Sequence, residues 1–360
     1  MGMDTATLDA TVNRMVGRGK VLFATDESPV TVRDRVEKAG IEPTPDNIMD
    51  YRLVLATADD LRLYGGGAIL HPDTLVQRDG EIVRALLERG VALGVKVDLG
   101  LKKFDGSDET YTSGLEDGHG GELRRRVAEY KGRGAVFAKW RASLLISASD
   151  KFPSSTAIER NANDLAVYAR ICQEDRTVPI VEPEVRADAK GYDTHTIDEC
   201  LDATRRVQKA VFKALKKEGV YLPGMVLKPN MITPGVNSRD YKSAKPEIVS
   251  RYTVMALAQQ HQLAPQISVD AFLSGGQGAE AFSNLNAIRL GADREGLWYL
   301  VLTASFGRQF VSKALKLYGG KMENAPSAHE AIGERLKAAA GASIGVLNAW
   351  GIAAFKYAEK

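Results

Sequence analysis

Cysteine is scarce: the 360 residues contain only Cys172 and Cys200, not in CxxC spacing. That excludes a disulfide framework and a thiolate zinc site, and it fits a reducing compartment. The five histidines, His71, His119, His195, His261 and His329, stand singly with no HxxxH pairing, so no metal site is expected from them. No apolar run approaches the roughly 20 residues of a membrane span. Charge of one sign is lacking too: 48 Lys+Arg against 46 Asp+Glu leave a formal +2, too little to draw the chain to nucleic acid or an anionic membrane. The first residues, Met1 to Thr11, carry neither a basic n-region nor an apolar h-region, and Ala6 breaks the myristoylation pattern. The expectation is a soluble cytoplasmic protein.

What the sequence does contain is alternation. Eight short apolar or β-branched runs recur, each followed by a turn and a longer stretch of helical period: Val21–Thr25, Ala68–Leu70, Ala92–Val97, Ala135–Ala138, Val178–Val181, Met225–Leu227, Gln266–Val269 and Leu297–Thr303. One intervening helix is plain, with Leu201, Val207, Val211, Ala214 and Leu215 on one face, a solvated basic face opposite, and a stop at Gly219. Such alternation suits either an open doubly wound sheet or a closed barrel. Even spacing over the whole length, with no linker or composition shift, favours one (β/α)8 TIM barrel over two Rossmann-like domains. The expected barrel covers about 20–325 of a single domain spanning 1–360, with additional N- and C-terminal helices. The tail from about Ala328 reads as two helices punctuated by Gly341 and Gly345.

Polar residues stand at the expected strand ends: Asp26, Lys96 and Asp98, Lys139, Glu182, Lys228, Asp270, Ser274 and Arg308. Lys96, Lys139, Glu182 and Lys228 are separated by 43, 43 and 46 residues, about one βα unit each, so all converge on one barrel mouth. Unpaired charges there would cost several kcal/mol each, about the desolvation penalty per ion, so they pair with one another or serve a substrate. Three lysines with Arg141 and Arg308, against Asp26, Glu182 and Glu184, leave a positive excess suited to a phosphorylated substrate. A neighbouring ammonium and a low-dielectric wall both favour a neutral amine, which condenses with a ketone to an iminium, an electron sink for a breaking C–C bond. Lys228 and Lys139 are both candidates, and charge alone does not rank them.

Leu273-Ser274-Gly275-Gly276-Gln277-Gly278 follows the seventh run and precedes a helix, the form of a phosphate cradle. Ser305-Phe306-Gly307-Arg308 supplies the partner after the eighth run. Gly65-Gly66-Gly67 precedes a run instead of following one and reads as a turn. Gly17-Arg18-Gly19-Lys20 lacks the P-loop spacing and reads as a connector.

Taken in order, Ala24-Thr25-Asp26-Glu27-Ser28, Val95-Lys96-Val97-Asp98, Phe137-Ala138-Lys139-Trp140-Arg141, Ile180-Val181-Glu182-Pro183-Glu184, Leu227-Lys228-Pro229-Asn230-Met231, Leu273-Ser274-Gly275-Gly276-Gln277 and Ser305-Phe306-Gly307-Arg308 resemble class I fructose-bisphosphate aldolase. The resemblance implies reversible cleavage of fructose 1,6-bisphosphate to two triose phosphates through a lysine Schiff base, with no cofactor and no metal, in a cytoplasmic homotetramer. It implies Lys228 as the imine lysine, Glu182 as general acid/base, Lys139 as its cationic partner and Asp26 as the carboxylate organising the substrate hydroxyls. It further implies Ser274, Gly275, Gly276, Ser305 and Arg308 for the 1-phosphate, and Ser28, Arg35, Lys96 and Arg141 for the 6-phosphate. Two departures stand out. Pro29-Val30-Thr31 replaces a Thr-Gly-Ser stretch, which predicts a stiffer loop, and Tyr357, a possible C-terminal proton donor, is followed by three more residues. A zinc-dependent aldolase would need the missing histidine cluster, and a non-catalytic scaffold would have no use for the full set of lysines.

Overall fold

The computed structural model describes residues 4–118 and 120–347. Its strands are β1 (Val21–Thr25), β2 (Gly65–Leu70), β3 (Ala92–Lys96), β4 (Leu101–Lys103), β5 (Thr110–Thr112), β6 (Phe137–Leu144), β7 (Val178–Val185), β8 (Val226–Leu227), β9 (Val269–Phe272) and β10 (Val301–Phe306). Eight of them close a parallel barrel in the order β1, β10, β9, β8, β7, β6, β3, β2, while β4 and β5 form a separate antiparallel hairpin. Each of the eight apolar runs thus contributes a barrel strand, with helices packed outside, as the alternation predicts.

The barrel interior explains a misread motif. Gly65, Gly66 and Gly67 are not a turn but the first half of β2, fully buried. A Cβ on Gly66 would stand 1.9 Å from the Met15 carbonyl oxygen, and one on Gly94 would stand 1.9 Å from the Phe137 ring. Phe137 fills the floor of the barrel, opposite Gly94 in register, and the helix Thr5–Met15 plugs the opening beneath with Leu8, Val12 and Met15. Glycine is required there for space, which its local turn preference hides.

Two boundaries move for related reasons. β6 and β7 pair over their full eight residues, Phe137–Leu144 against Val178–Val185, so Lys139 and Glu182 lie within strands instead of at their ends. The run at Leu297 starts in a turn, and β10 begins only at Val301. β8 is the shortest strand, because Pro229 has no N–H to extend the ladder beyond Lys228, whose own N–H donates to the Val181 carbonyl at 2.8 Å.

The basic-faced helix spans Ile197–Lys217, opened by a Thr196–Glu199 capping box and followed by Gly219 in the left-handed region. The tail differs from expectation at Gly341, where the helix Ala325–Ser343 runs on without a break; the second helix expected beyond Gly345 falls largely outside the described residues. Ala325–Ser343 ends in a Schellman motif, with Val346 N–H donating to the Gly341 carbonyl, Gly345 N–H to that of Ala342, and Gly345 at φ +77°. An interior glycine costs a helix only about 1 kcal/mol, and burial of the Ala338–Ala342 face outweighs it. Tyr357 and His119 lie outside the described residues.

Candidate active site

The strand register gathers five of the expected groups. Lys96 and Lys139 are cross-strand partners on β3 and β6, Arg141 faces Glu182 across β6 and β7, and Lys228 follows β8 directly. Lys139 Nζ lies 3.1 Å from Asp26 Oδ2, to which it donates a hydrogen bond, and 2.7 Å from Glu182 Oε2. Lys228 Nζ lies 3.1 Å from Glu182 Oε1. The Glu182 carboxylate therefore bridges two ammoniums, one on each oxygen, with all three side chains about 5% exposed or less.

Electrostatics keeps this network charged. Burial would raise the Asp26 carboxyl, but Lys139 and Lys228 outweigh it and hold it at about 2. Burial likewise would raise Glu182, and Lys139, Lys228 and Arg141 hold it below the usual carboxylate range. Burial disfavours the Lys139 ammonium, yet Asp26 and Glu182 raise it above an ordinary lysine. These are the opposed effects of desolvation and close opposite charge, with charge winning at each group. Asn230 steadies the segment behind Lys228: its Oδ1 accepts from the Val185 N–H at 3.1 Å, and its Nδ2 donates to Thr204 and to the Met231 carbonyl.

The glycine loop after β9 is held by its glutamine. Gln277 Nε2 and backbone N–H both donate to the Ser274 carbonyl, Asn284 donates to Gln277 Oε1, and Gln309 donates to the Gln277 carbonyl, joining this loop to the one after β10. Among the described residues, the N–H groups of Gly275 and Gly276 donate to nothing, and the buried Ser305 hydroxyl has no partner. The helix Arg308–Tyr318 opens at this point and adds the positive end of its dipole. Free N–H groups, an orphaned hydroxyl and a helix N-terminus together form an anion cradle.

On the opposite side, the structure revises the expected loop at Pro29. Ser28 is the N-cap of the helix Pro29–Lys38, accepting from the Thr31 N–H at 3.3 Å, with Pro29 at the first helical position, where its fixed φ is favourable. Arg35 pairs with Glu27, Arg141 pairs with Glu184, and Lys96 Nζ lies 2.6 Å from Asp98 Oδ1. The expected positive excess at the mouth is thereby corrected, because Asp98 neutralises Lys96 and Asp188 neutralises Arg308 at 3.0 Å. Neither carboxylate entered the sequence count: Asp98 stands only two residues from Lys96 and its side chain turns back onto that ammonium, while Asp188 meets Arg308 only because barrel closure brings their loops together. Asp270 also departs from expectation: it lies inside β9, fully buried and facing outward to Gln260, away from the mouth.

A family model described as fructose-bisphosphate aldolase class-I matches residues 7–357. The chain belongs to the class-I fructose-bisphosphate aldolase family. It is 43% identical over 324 residues to rat fructose-bisphosphate aldolase C, covering 88% of this chain and 84% of the rat protein. It is 41% identical to bovine fructose-bisphosphate aldolase B, covering 91% and 87%. With the cytoplasmic isozyme 2 of Pisum sativum the identity is 42%, covering 91% and 88%. Among solved structures, fructose-bisphosphate aldolase from Plasmodium falciparum, in complex with TRAP and a small-molecule inhibitor, superposes with a TM-score of 0.86 at 37% identity, over 94% of each chain. Members of this family are aldehyde-lyases acting on phosphorylated sugars, and the closed eight-stranded parallel barrel is the fold this chain shares with the Plasmodium enzyme. Among the described residues, no helix is long and apolar enough to cross a membrane, and no three His, Cys, Asp or Glu side chains group as a metal site would require.

Proposed function

We propose that this aldolase-family chain cleaves fructose 1,6-bisphosphate reversibly to dihydroxyacetone phosphate and glyceraldehyde 3-phosphate, with Lys228 as the imine-forming amine. The observation that carries the assignment is the Glu182 carboxylate, which meets Lys139 on one oxygen and Lys228 on the other inside the barrel mouth. Glu182 Oε1, 3.1 Å from Lys228 Nζ, can take a proton from that ammonium and free its lone pair. Nζ then attacks the C2 carbonyl to give a carbinolamine, and Glu182 returns its proton to the departing hydroxyl, so that water leaves, the iminium forms and Glu182 is again a carboxylate. Glu182 accepts the C4 hydroxyl proton as the C3–C4 bond breaks; its electrons pass into the iminium to give an enamine, and the aldehyde departs. Protonation at C3 and hydrolysis of the imine release the ketone. Lys139 stays cationic and holds Glu182 and Asp26 in place, and Asp26 orients the substrate hydroxyls.

The 1-phosphate binds the N–H groups of Gly275 and Gly276 with Ser274, Ser305 and Arg308. The 6-phosphate draws on Ser28, Arg35, Lys96 and Arg141. The resemblance further implies a homotetramer in the cytoplasm, which sedimentation and fractionation would read directly. Borohydride added with dihydroxyacetone phosphate should fix one adduct on the peptide carrying Lys228, and Lys228→Met should abolish both adduct and turnover. An adduct on another lysine, or activity of the variant within tenfold of the parent, would overturn the assignment.

A further inference from the structure

One carboxylate beside the glycine loop serves two guanidiniums. Asp188 follows β7, and its Oδ2 accepts from Arg308 Nη2 at 3.0 Å while its Oδ1 accepts from Arg186 Nη2 at 3.2 Å. The same side chain rests on the loop backbone. A Cβ at Gly276, where φ is +82°, would stand 2.6 Å from Asp188 Cβ and 3.1 Å from its Oδ2, so any other residue there would displace the carboxylate as well as strain the backbone. Burial would raise the Asp188 carboxyl, but Arg186 and Arg308 outweigh it and hold it below the usual range, so it is an anion at neutral pH.

Donors remain after this bridge is made. Arg308 uses only Nη2, and Arg186 uses Nε and Nη2, so Nη1 of each arginine has no partner among the described residues. Gly275 and Gly276 N–H are free beside them. Two guanidiniums converging on one anion would repel each other and wander; a carboxylate between them cancels that repulsion and fixes both before the ligand arrives, which lowers the ordering cost of binding.

We propose that Asp188 is a positioning residue for the 1-phosphate and that Arg186 is a second guanidinium of that subsite, both aimed by the Asp188 bridge at an anion seated on Gly275 and Gly276. The proposal rests on the reading of this loop as the 1-phosphate cradle. It makes the subsite a two-arginine clamp assembled from the loops after β7, β9 and β10.

The test compares Arg186→Ala, Asp188→Ala and Asp188→Asn with the parent. Steady-state cleavage of fructose 1,6-bisphosphate is measured alongside borohydride trapping by dihydroxyacetone phosphate and by unphosphorylated dihydroxyacetone. Losing one charge-assisted bond predicts a KM about tenfold higher in both alanine variants, with kcat falling less than KM rises. The preference for the phosphorylated over the unphosphorylated ketone should narrow by about the same factor. Asp188→Asn should recover part of the loss, since its carbonyl still accepts from one guanidinium. An unchanged KM in Arg186→Ala and Asp188→Ala overturns the proposal, as does equal loss with both ketones, the result expected of a mere brace between loops. If the parent itself forms no adduct at Lys228, the functional reading falls and the clamp falls with it. An adduct at Lys228 with no narrowing removes the clamp alone.

Discussion

Glu182→Gln is the sharpest probe of the buried network, because it removes one charge and almost no volume. Glu182 stands 2.7 Å from Lys139 Nζ and 3.1 Å from Lys228 Nζ. At an effective dielectric of about 20, those contacts correspond to gross attractions of about 6 and 5 kcal/mol, before the desolvation of three buried ions is set against them. The measurable quantity is smaller: breaking a buried pair from one side costs about 3–5 kcal/mol, since it strands the partner's charge. Lys139 keeps Asp26 at 3.1 Å. Lys228 has no other ion-pair partner among the described residues, so the stranded charge is the Lys228 ammonium. Two effects should therefore separate. Urea unfolding should show a loss of a few kcal/mol, and kcat for cleavage should fall by about 10²–10⁴, the usual worth of a general acid/base. A variant that kept kcat within tenfold while losing stability would show that Glu182 braces the site without moving protons. One that lost neither would refute the electrostatic argument itself.

Arg308→Ala should chiefly raise KM for phosphorylated ketoses through lost charge-assisted bonds, read by initial rates; an unaltered KM would move the phosphate elsewhere. Gly94→Ala places a Cβ 1.9 Å from the Phe137 ring and should cost at least about 1–3 kcal/mol by overpacking, with Phe137→Leu in the same chain recovering part of the melting temperature. Asp270 is fully buried, donated to by Gln260 at 2.9 Å, and pushed up to about 7 by burial. Its folded pKa exceeds the unfolded value of about 3.9, so the fold binds the extra proton and loses up to about 4 kcal/mol as pH rises from 4 to 7. Asp270→Asn should therefore stabilise the protein near pH 8 and do nothing near pH 4, and a pH-independent difference in urea midpoints would contradict this.

Much of the architecture could be read from residues alone, for reasons tied to particular positions. The β-branched run at Val21–Thr25 and the apolar run at Val178–Val181 are buried on both faces, and such strands carry their signal locally. The 43-residue spacing of Lys96, Lys139 and Glu182 equals the length of one βα unit, so convergence on a mouth was legible too. Gly65-Gly66-Gly67 misleads because its reason lies in the distant Met15 and Phe137, which no local window contains. Gly341 misleads in the same way, its cost being outweighed by a buried helix face. Asp188 is invisible to a charge count because its pairing with Arg308 is decided by which loops meet, and only closure of the barrel decides that; Asp98 is a local partner of Lys96, two residues away, and its neutralising effect is legible in the sequence.

That pairing changes how anion binding at this mouth must be understood. With Asp98 on Lys96, Glu184 on Arg141, Glu27 on Arg35 and Asp188 on Arg308, the cations expected to meet phosphate already hold carboxylates. Attraction for a bisphosphate cannot then come from a large surplus of charge, and it must come from donors left over and from pairs that can share. Exposure separates the Arg308 pair from the Glu182 bridge, with the pairs of Lys96, Arg141 and Arg35 lying between them. Lys139 and Lys228 are 5% exposed, and their bridge through Glu182 is too buried for water to replace it, so the bridge persists when an anion reaches the mouth. Arg308 is 51% exposed with donors to spare, so a phosphate can add to it without first breaking the bond to Asp188. On the proposed function, proton transfer then falls to the buried bridge, and the part of phosphate recognition that Arg308 carries falls to the rim. It also requires affinity for phosphorylated ketose to fall with salt far more steeply than the single-turnover rate of the bound complex, because rim charges are screened and the buried bridge is not.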